Sequence, residues 1–190
     1  MKCVKVGFAM TGSFCTFSKA ISQMKLLKEK GYDVLPIMSN TAYKTDTRFG
    51  NAEKFVKDIE EITGKKVLHT IVDVEPIGPK KMLDILVVAP CTGNTLAKLS
   101  NGMADSSVTL CAKAHLRNNR PILLSVSTND ALSTAAKNIG FLLNNKNYYF
   151  VPMRQDDHEN KPNSIVADFK MLESSIQSAL KGKQIQPMIF

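Results

Sequence analysis

Tryptophan is absent from the 190 residues, and aromatic side chains together make up only 7%. Arginine is scarce too. Four of the 25 basic residues are Arg, at 48, 117, 120 and 154, and no basic run exceeds two (Lys65-Lys66, Lys80-Lys81). A nucleic-acid surface draws on clustered arginines and stacking aromatics. The formal charge of +8 therefore reads as solvated lysine faces, or as a field suited to an anionic small molecule or an acidic partner. Cysteine occurs four times (3, 15, 91, 111) with no CxxC, and the histidines at 69, 115 and 158 are scattered. No residues have the spacing of a structural metal site, and free thiols in a reducing compartment are expected. Cys15 and Cys111 fall on helix faces and read as core, and Cys3 opens the first strand. No segment approaches the roughly 20 apolar residues that span a bilayer. The apolar start around Val4–Met10 runs into Thr11-Gly12-Ser13 without a small-x-small cleavage site, so it reads as a buried strand of a cytoplasmic protein. A GxGxxG fingerprint and a P-loop are both missing, which disfavours a standard nicotinamide-binding fold.

What is present is ordinary for a globular chain: 44% hydrophobic and 22% charged residues. At about 150 residues per domain, the length predicts one domain over 1–190, large enough to fold without disulfide or metal staples.

Strand-like and helix-like segments alternate. Val4–Met10 is a strand, followed by a helix with Phe14, Phe17, Ile21, Met24 and Leu27 at three- and four-residue spacings. Val34–Ser39 is a strand whose Pro36 suggests a sheet edge or a bulge. Asn51–Thr63 is an amphipathic helix closed by Gly64. Residues 67–74 read as a weaker strand. Asp84–Ala89 is a continuous apolar run, as in a parallel strand buried on both faces. The helical stretch after Thr95 is split by Gly102 and Asp105. Pro121–Val126 is a strand, and Ser127–Asp130 opens a helix that runs to about Leu143. Tyr148–Val151 is a short strand. A polar loop then leads to a last helix and tail from about 165. This order predicts a single doubly wound, Rossmann-like α/β sheet with helices on both faces.

In such sheets ligands bind beyond the carboxyl ends of the strands. Four loops there are rich in hydroxyls and amides: Thr11-Gly12-Ser13, Ser39-Asn40-Thr41, Pro90-Cys91-Thr92-Gly93-Asn94-Thr95, and Ser127-Thr128-Asn129-Asp130. Helix N-termini there would offer free N–H groups to a phosphate. Taken singly, each loop is also an ordinary set of N-caps.

The combination is more specific. Strand–Thr11-Gly12-Ser13–helix, then Pro90-Cys91-Thr92-Gly93-Asn94-Thr95 with Ala97-Lys98, Gly102 and Ala104-Asp105, resembles the flavoprotein family of homo-oligomeric flavin-containing cysteine decarboxylases. The resemblance implies an FMN site, with Thr11, Gly12, Ser13, Ser39 and Thr41 near the phosphate. Pro90, Thr92, Gly93, Asn94, Thr95 and Ser127 would lie near the flavin. It also implies self-association into trimers or dodecamers. Three family features are missing. Pro76 stands where counting back places the catalytic histidine, with His69 seven residues earlier. Asn129 alone remains of the second motif, and no cysteine follows Cys111 to form a clamp. Cysteine-type decarboxylation is therefore not expected.

Thr47-Arg48-Phe49-Gly50, Glu75-Pro76-Ile77-Gly78-Pro79-Lys80, Ser125–Leu132, Gln155-Asp156-Asp157, Lys161-Pro162-Asn163-Ser164 and Gly182–Pro187 are similar to one branch of that family. Its members work with a partner, an A-type subunit, that carries NAD(P). Together they oxidise a dihydro- or hydroxytetrahydro-dipicolinate ring to dipicolinate, and the resemblance leaves this chain open between a flavin-binding subunit and a non-catalytic one that keeps the fold for substrate binding or assembly. Asn129 and Asp130 face the expected crevice and read as substrate contacts or as a helix N-cap pair, and Lys161, Asn163 and Ser164 offer charge and amide donors to a dicarboxylate or read as capping and surface residues. Arg48 is open between a carboxylate partner and a surface arginine. Cys91 reads as a small space-filling residue, and Asp156–Glu159 as a solvated acidic loop.

Overall fold

The computed structural model describes residues 3–190. Five parallel strands run β1 (Lys5–Met10), β2 (Asp33–Met38), β3 (Ile85–Cys91), β4 (Ile122–Thr128) and β5 (Tyr148–Phe150). A hairpin of β6 (Met153–Gln155) and β7 (Ile165–Ala167) joins antiparallel to the end of β4. The spatial order is β2-β1-β3-β4-β7-β6, with β5 also beside β4. All seven residues of β3 are buried. A strand inside the sheet and covered on both faces must be apolar throughout, which accounts for the unbroken run in the sequence.

Helices α1 (Phe17–Glu29), α3 (Ala52–Thr63) and α8 (Leu172–Leu180) pack together, α1 and α8 also touching β3, and the short α2 (Asn40–Lys44) lies against α3. The short α4 (Ile71–Val74), α5 (Gly93–Ser100), α6 (Ser107–Leu116) and α7 (Ala136–Leu143) form a second group. Pro36 lies on the edge strand β2, where its carbonyl accepts from the Leu68 N–H. A residue's N and C=O point the same way along a strand, so the proline nitrogen faces off the sheet and costs the β1–β2 ladder nothing. Gly102 adopts φ 67°, and Lys98 reaches across the α5–α6 turn to both oxygens of Asp105 at 2.8 and 3.0 Å. The Lys98, Gly102 and Asp105 of the central motif thus form a clip that redirects the chain.

Four expectations are corrected. Residues 67–74 are not a strand: Leu68 makes one bridge to Ile37, and α4 follows at once, started by a Thr70/Asp73 capping box. Ser127–Asp130 does not open a helix, because β4 continues through Thr128 and α7 begins only at Ala136. Asn129 and Asp130 are therefore not its N-cap pair. The polar loop before the C-terminal helix contains β6 and β7, and the helix starts at Leu172 rather than near 165. Three-residue strands are too short to leave a period-two pattern. Cys15 is exposed, whereas Cys111 is core.

Burial also sets a pH dependence. His115 is 1% exposed, and its Nε2–H donates to the Pro121 carbonyl at 3.0 Å. Desolvation, opposed in part by that hydrogen bond, brings its pKa down to about 4. The unfolded chain therefore binds a proton, between about pH 6.5 and 4, that the folded chain refuses. Folding stability falls as the pH drops through that window, by up to about 3 kcal/mol at its lower end. Denaturant melts at pH 7 and pH 4 should show this loss, and His115→Gln should flatten it. An equal slope in both proteins would rule His115 out as its source.

Candidate functional site

The strand order reverses between β1 and β3, since β2 lies on one side of β1 and β3 on the other. Such a switch point opens a crevice at the carboxyl ends. Thr11 closes its floor. Its buried hydroxyl donates to the Pro90 carbonyl at 2.8 Å and accepts from the Thr92 N–H at 3.1 Å, tying the β1 loop to the β3 loop. Thr92 caps α5, its Oγ1 accepting from the Thr95 N–H at 3.2 Å. Ser13 Oγ and Ser127 Oγ lie 2.8 Å apart and join the β1 loop to the end of β4.

Above this floor lies a cleft of about 560 Å³, within the range of small-ligand sites. Gly12, Ser13, Thr92, Gly93, Asn94 and Ser127 line it, as do Asn129, Asp130, Lys161 and Ser164. Segments far apart in the sequence thus meet in one place. Arg48 and Phe49 enter from another. The Thr47–Gly50 turn is closed by Thr47 N–H to Gly50 O (3.0 Å) and Gly50 N–H to Thr47 O (3.1 Å). It holds the Arg48 guanidinium 4.9 Å from the centre of the Phe49 ring.

Other expected residues stand behind the cleft or beside it. Thr11, Pro90 and Thr95 are buried supports. Ser39 caps α2 by accepting from the Ala42 N–H, and neither it nor Thr41 lines the cleft. Asn163 is exposed and takes part through its backbone, its carbonyl accepting from the Leu132 N–H at 3.1 Å. Cys91 is fully buried, and desolvation pushes its thiol far above the ordinary range, so it fills space and stays protonated. Pro76 is not among the lining residues. His69 lies elsewhere, stacked on Tyr43 at 3.7 Å, with Nδ1 3.9 Å from Asp73.

The cleft also holds Phe14, Cys15, Thr128, Asp156 and Val166. Lys161 Nζ lies 3.6 Å from Asp156 Oδ2, so the acidic loop supplies a partner to that lysine. The β6–β7 hairpin sets this pair beside the end of β4, and its three-residue strands left no local pattern to announce it.

The two lining glycines differ. A Cβ at Gly12 would meet Phe14 and Thr41 at 3.6 Å, an ordinary contact, so packing does not impose glycine there. A Cβ at Gly93 would lie 2.6 Å from Asp130 Oδ1 and 2.8 Å from Thr128 Oγ1, a clash. The donor set suits a flavin phosphate and ring: the hydroxyls of Ser13, Thr92 and Ser127, the Asn94 amide, the free N–H groups at the start of α5, and a glycine that leaves the approach clear.

A model of the Flavoprotein family matches residues 1–172. The chain belongs to that family. It is 44% identical over 189 residues to the B-type subunit of dipicolinate synthase of Bacillus subtilis (strain 168), covering 100% of this chain and 94% of that one. The crystal structure of the corresponding dipicolinate synthase component from Bacillus halodurans C, also of the B type, superposes with a TM-score of 0.91 at 43% identity, over 100% of this chain and 98% of that one. The FMN-dependent cysteine decarboxylase SpaF shares the fold at a TM-score of 0.71 and 21% identity, covering 94% and 95% of the two chains. The mostly parallel sheet expected from the sequence is thus the flavoprotein fold of these relatives. No helix among the described residues is long and apolar enough to cross a membrane.

Proposed function

We propose that this chain is the B-type subunit of a dipicolinate synthase, acting in the mother cell of a spore-forming bacterium. It would bind the dicarboxylated ring in the cleft and work with an A-type subunit that carries the nicotinamide, NAD or NADP. The observation that carries this reading is the 44% identity to the Bacillus subtilis B-type subunit over the whole chain. The cleft agrees with it. Arg48 and Lys161 bring two cations to one opening, and Asn129 and Ser164 add neutral polar groups. Charge-assisted hydrogen bonds of this kind are the strong ones for carboxylates.

The reaction removes two electrons and two ring hydrogens. One hydrogen leaves as hydride to the nicotinamide of the partner and the other as a proton. A hydroxytetrahydro ring first loses water. The task of this chain is to hold both carboxylates, orient the ring toward the partner and shield it. Self-association into trimers or dodecamers belongs to the same reading.

The hydroxyl floor supports a second role for the cleft, as a flavin site of the family type. Ser13 beside Gly12 would meet the phosphate, and Thr92, Gly93, Asn94 and Ser127 would flank the ring. Bound flavin supplies a two-electron acceptor.

The test is purification with and without the A-type partner. Dipicolinate, read by its ultraviolet absorbance, is expected only from the pair. The flavin content of the B-type chain is read from its visible spectrum. Carbon dioxide released from a cysteinyl substrate, with no dipicolinate, would replace this reading with a decarboxylase.

A further inference from the structure

Of the two carboxylates in the cleft, one is committed and one is free. Asp156 has Lys161 at 3.6 Å. Asp130 has no cation within ion-pair distance among the described residues, and its side chain takes a single hydrogen bond, from Thr128 Oγ1 to Oδ1 at 2.5 Å. The backbone is shaped around that carboxylate. Gly93 stands opposite it, and any Cβ there would overlap Oδ1 at 2.6 Å. Gly93 is also the first residue of α5, so the negative charge rests where the helix dipole favours it. A free carboxylate, a hydroxyl holding one of its oxygens and a glycine that makes room for it form a built arrangement.

We propose that Asp130 is the proton acceptor in the oxidation of the dihydro ring. The inference rests on the dipicolinate reading and deepens it. One ring C–H bond breaks with its electron pair leaving as hydride to the partner's nicotinamide, which is reduced. A second ring C–H gives its proton to the Asp130 carboxylate. The pair left behind completes the aromatic ring, and Asp130 then passes the proton to water. No other charged or titratable group lining the cleft suits the task. The Arg48 guanidinium and the Lys161 ammonium are donors that face the substrate carboxylates, Asp156 already has Lys161 as a partner at 3.6 Å, and Cys15 stands on the exposed rim. Arg48 and Lys161 also offset the two substrate charges that would otherwise repel Asp130.

The experiment uses the reconstituted two-component enzyme. Asp130→Asn keeps the shape and removes the base. Its kcat should fall by roughly 100-fold or more, the usual worth of a positioned base, with KM changed little. The acid limb of the kcat–pH profile should disappear, and Asp130→Glu should retain that limb at reduced kcat. Gly93→Ala leaves Asp130 in the chain but displaces its carboxylate, and should lose turnover in parallel. Circular dichroism and the thermal midpoint establish that each variant is folded. Wild-type kcat with an intact acid limb in folded Asp130→Asn or Gly93→Ala overturns the proposal, and so does a loss confined to KM. The wild-type arm separates the two readings. A wild-type pair that forms no dipicolinate overturns the function itself, whereas a working wild type with an equally active Asp130→Asn overturns only the role of Asp130.

Discussion

Phe17→Ala is expected to remove about 3–5 kcal/mol of stability, the usual cost of emptying a buried phenylalanine site. Phe17 is fully buried at the start of α1. Its ring centre lies 4.9 Å from that of Phe14 and 5.2 Å, edge-on, from that of Phe55. The effect reaches the cleft, because Phe55 in turn fills the space beside Gly50, where an added Cβ would lie 2.5 Å from the ring. Gly50 closes the turn that presents Arg48. The void should therefore loosen that arm while lowering the midpoint of urea unfolding at an unchanged slope. A loss below about 1 kcal/mol would mean that the surrounding rings collapse into the gap and that the chain of contacts is not rigid.

The double variant Arg48→Ala/Lys161→Ala is expected to lose roughly 100-fold or more in kcat/KM for the dicarboxylate in the two-component assay. A hydrogen bond to a charged group contributes about 1.5–3 kcal/mol, or roughly 10- to 100-fold, so the loss of both cations from one cleft should reach at least the upper figure. Removing Lys161 has a further consequence. Asp156, now 3.6 Å from that ammonium, would face the substrate uncompensated. Both side chains are exposed, so the melting temperature should hold. Arg48→Lys should recover part of the loss, since a lysine keeps the charge and gives up the planar fork. If the double variant kept its activity within about threefold, the carboxylates would have to be bound elsewhere.

The elements that were legible in the sequence share a physical cause. β3 is buried on both faces and had to be written as an unbroken apolar run. α3 is half exposed and carries the three-four spacing, with Asn51 and Gly64 (φ 69°) marking its ends. The hydroxyl loops were legible because serine and threonine recur at the ends of β1, β2, β3 and β4. The β6–β7 hairpin was not, as its three-residue strands are held by pairing with β4 and with each other. Even the C-terminal tail joins it, through the Met153 N–H to the Met188 carbonyl. The extension of β4 through Thr128 was hidden for a similar reason. Its last residues pair with β7, a partner almost 40 positions away.

By itself, the sequence determined the fold class and the family, and it named most of the hydroxyl residues found on the floor of the cleft. These follow from local periodicity, turn chemistry and a motif whose spacing is preserved along one stretch of chain. The tertiary structure alone decided which charges face one another. Arg48 became a cleft residue because Phe55 and Gly50 shape its turn. Lys161 met Asp156 because a hairpin folded back, and Asp130 was left free opposite Gly93 rather than serving as a helix cap. The setting of Asp130 depends on a distance of a few ångströms to Gly93, which lies far from it in sequence. Local pattern carries no record of such distances, and only the packed sheet sets them.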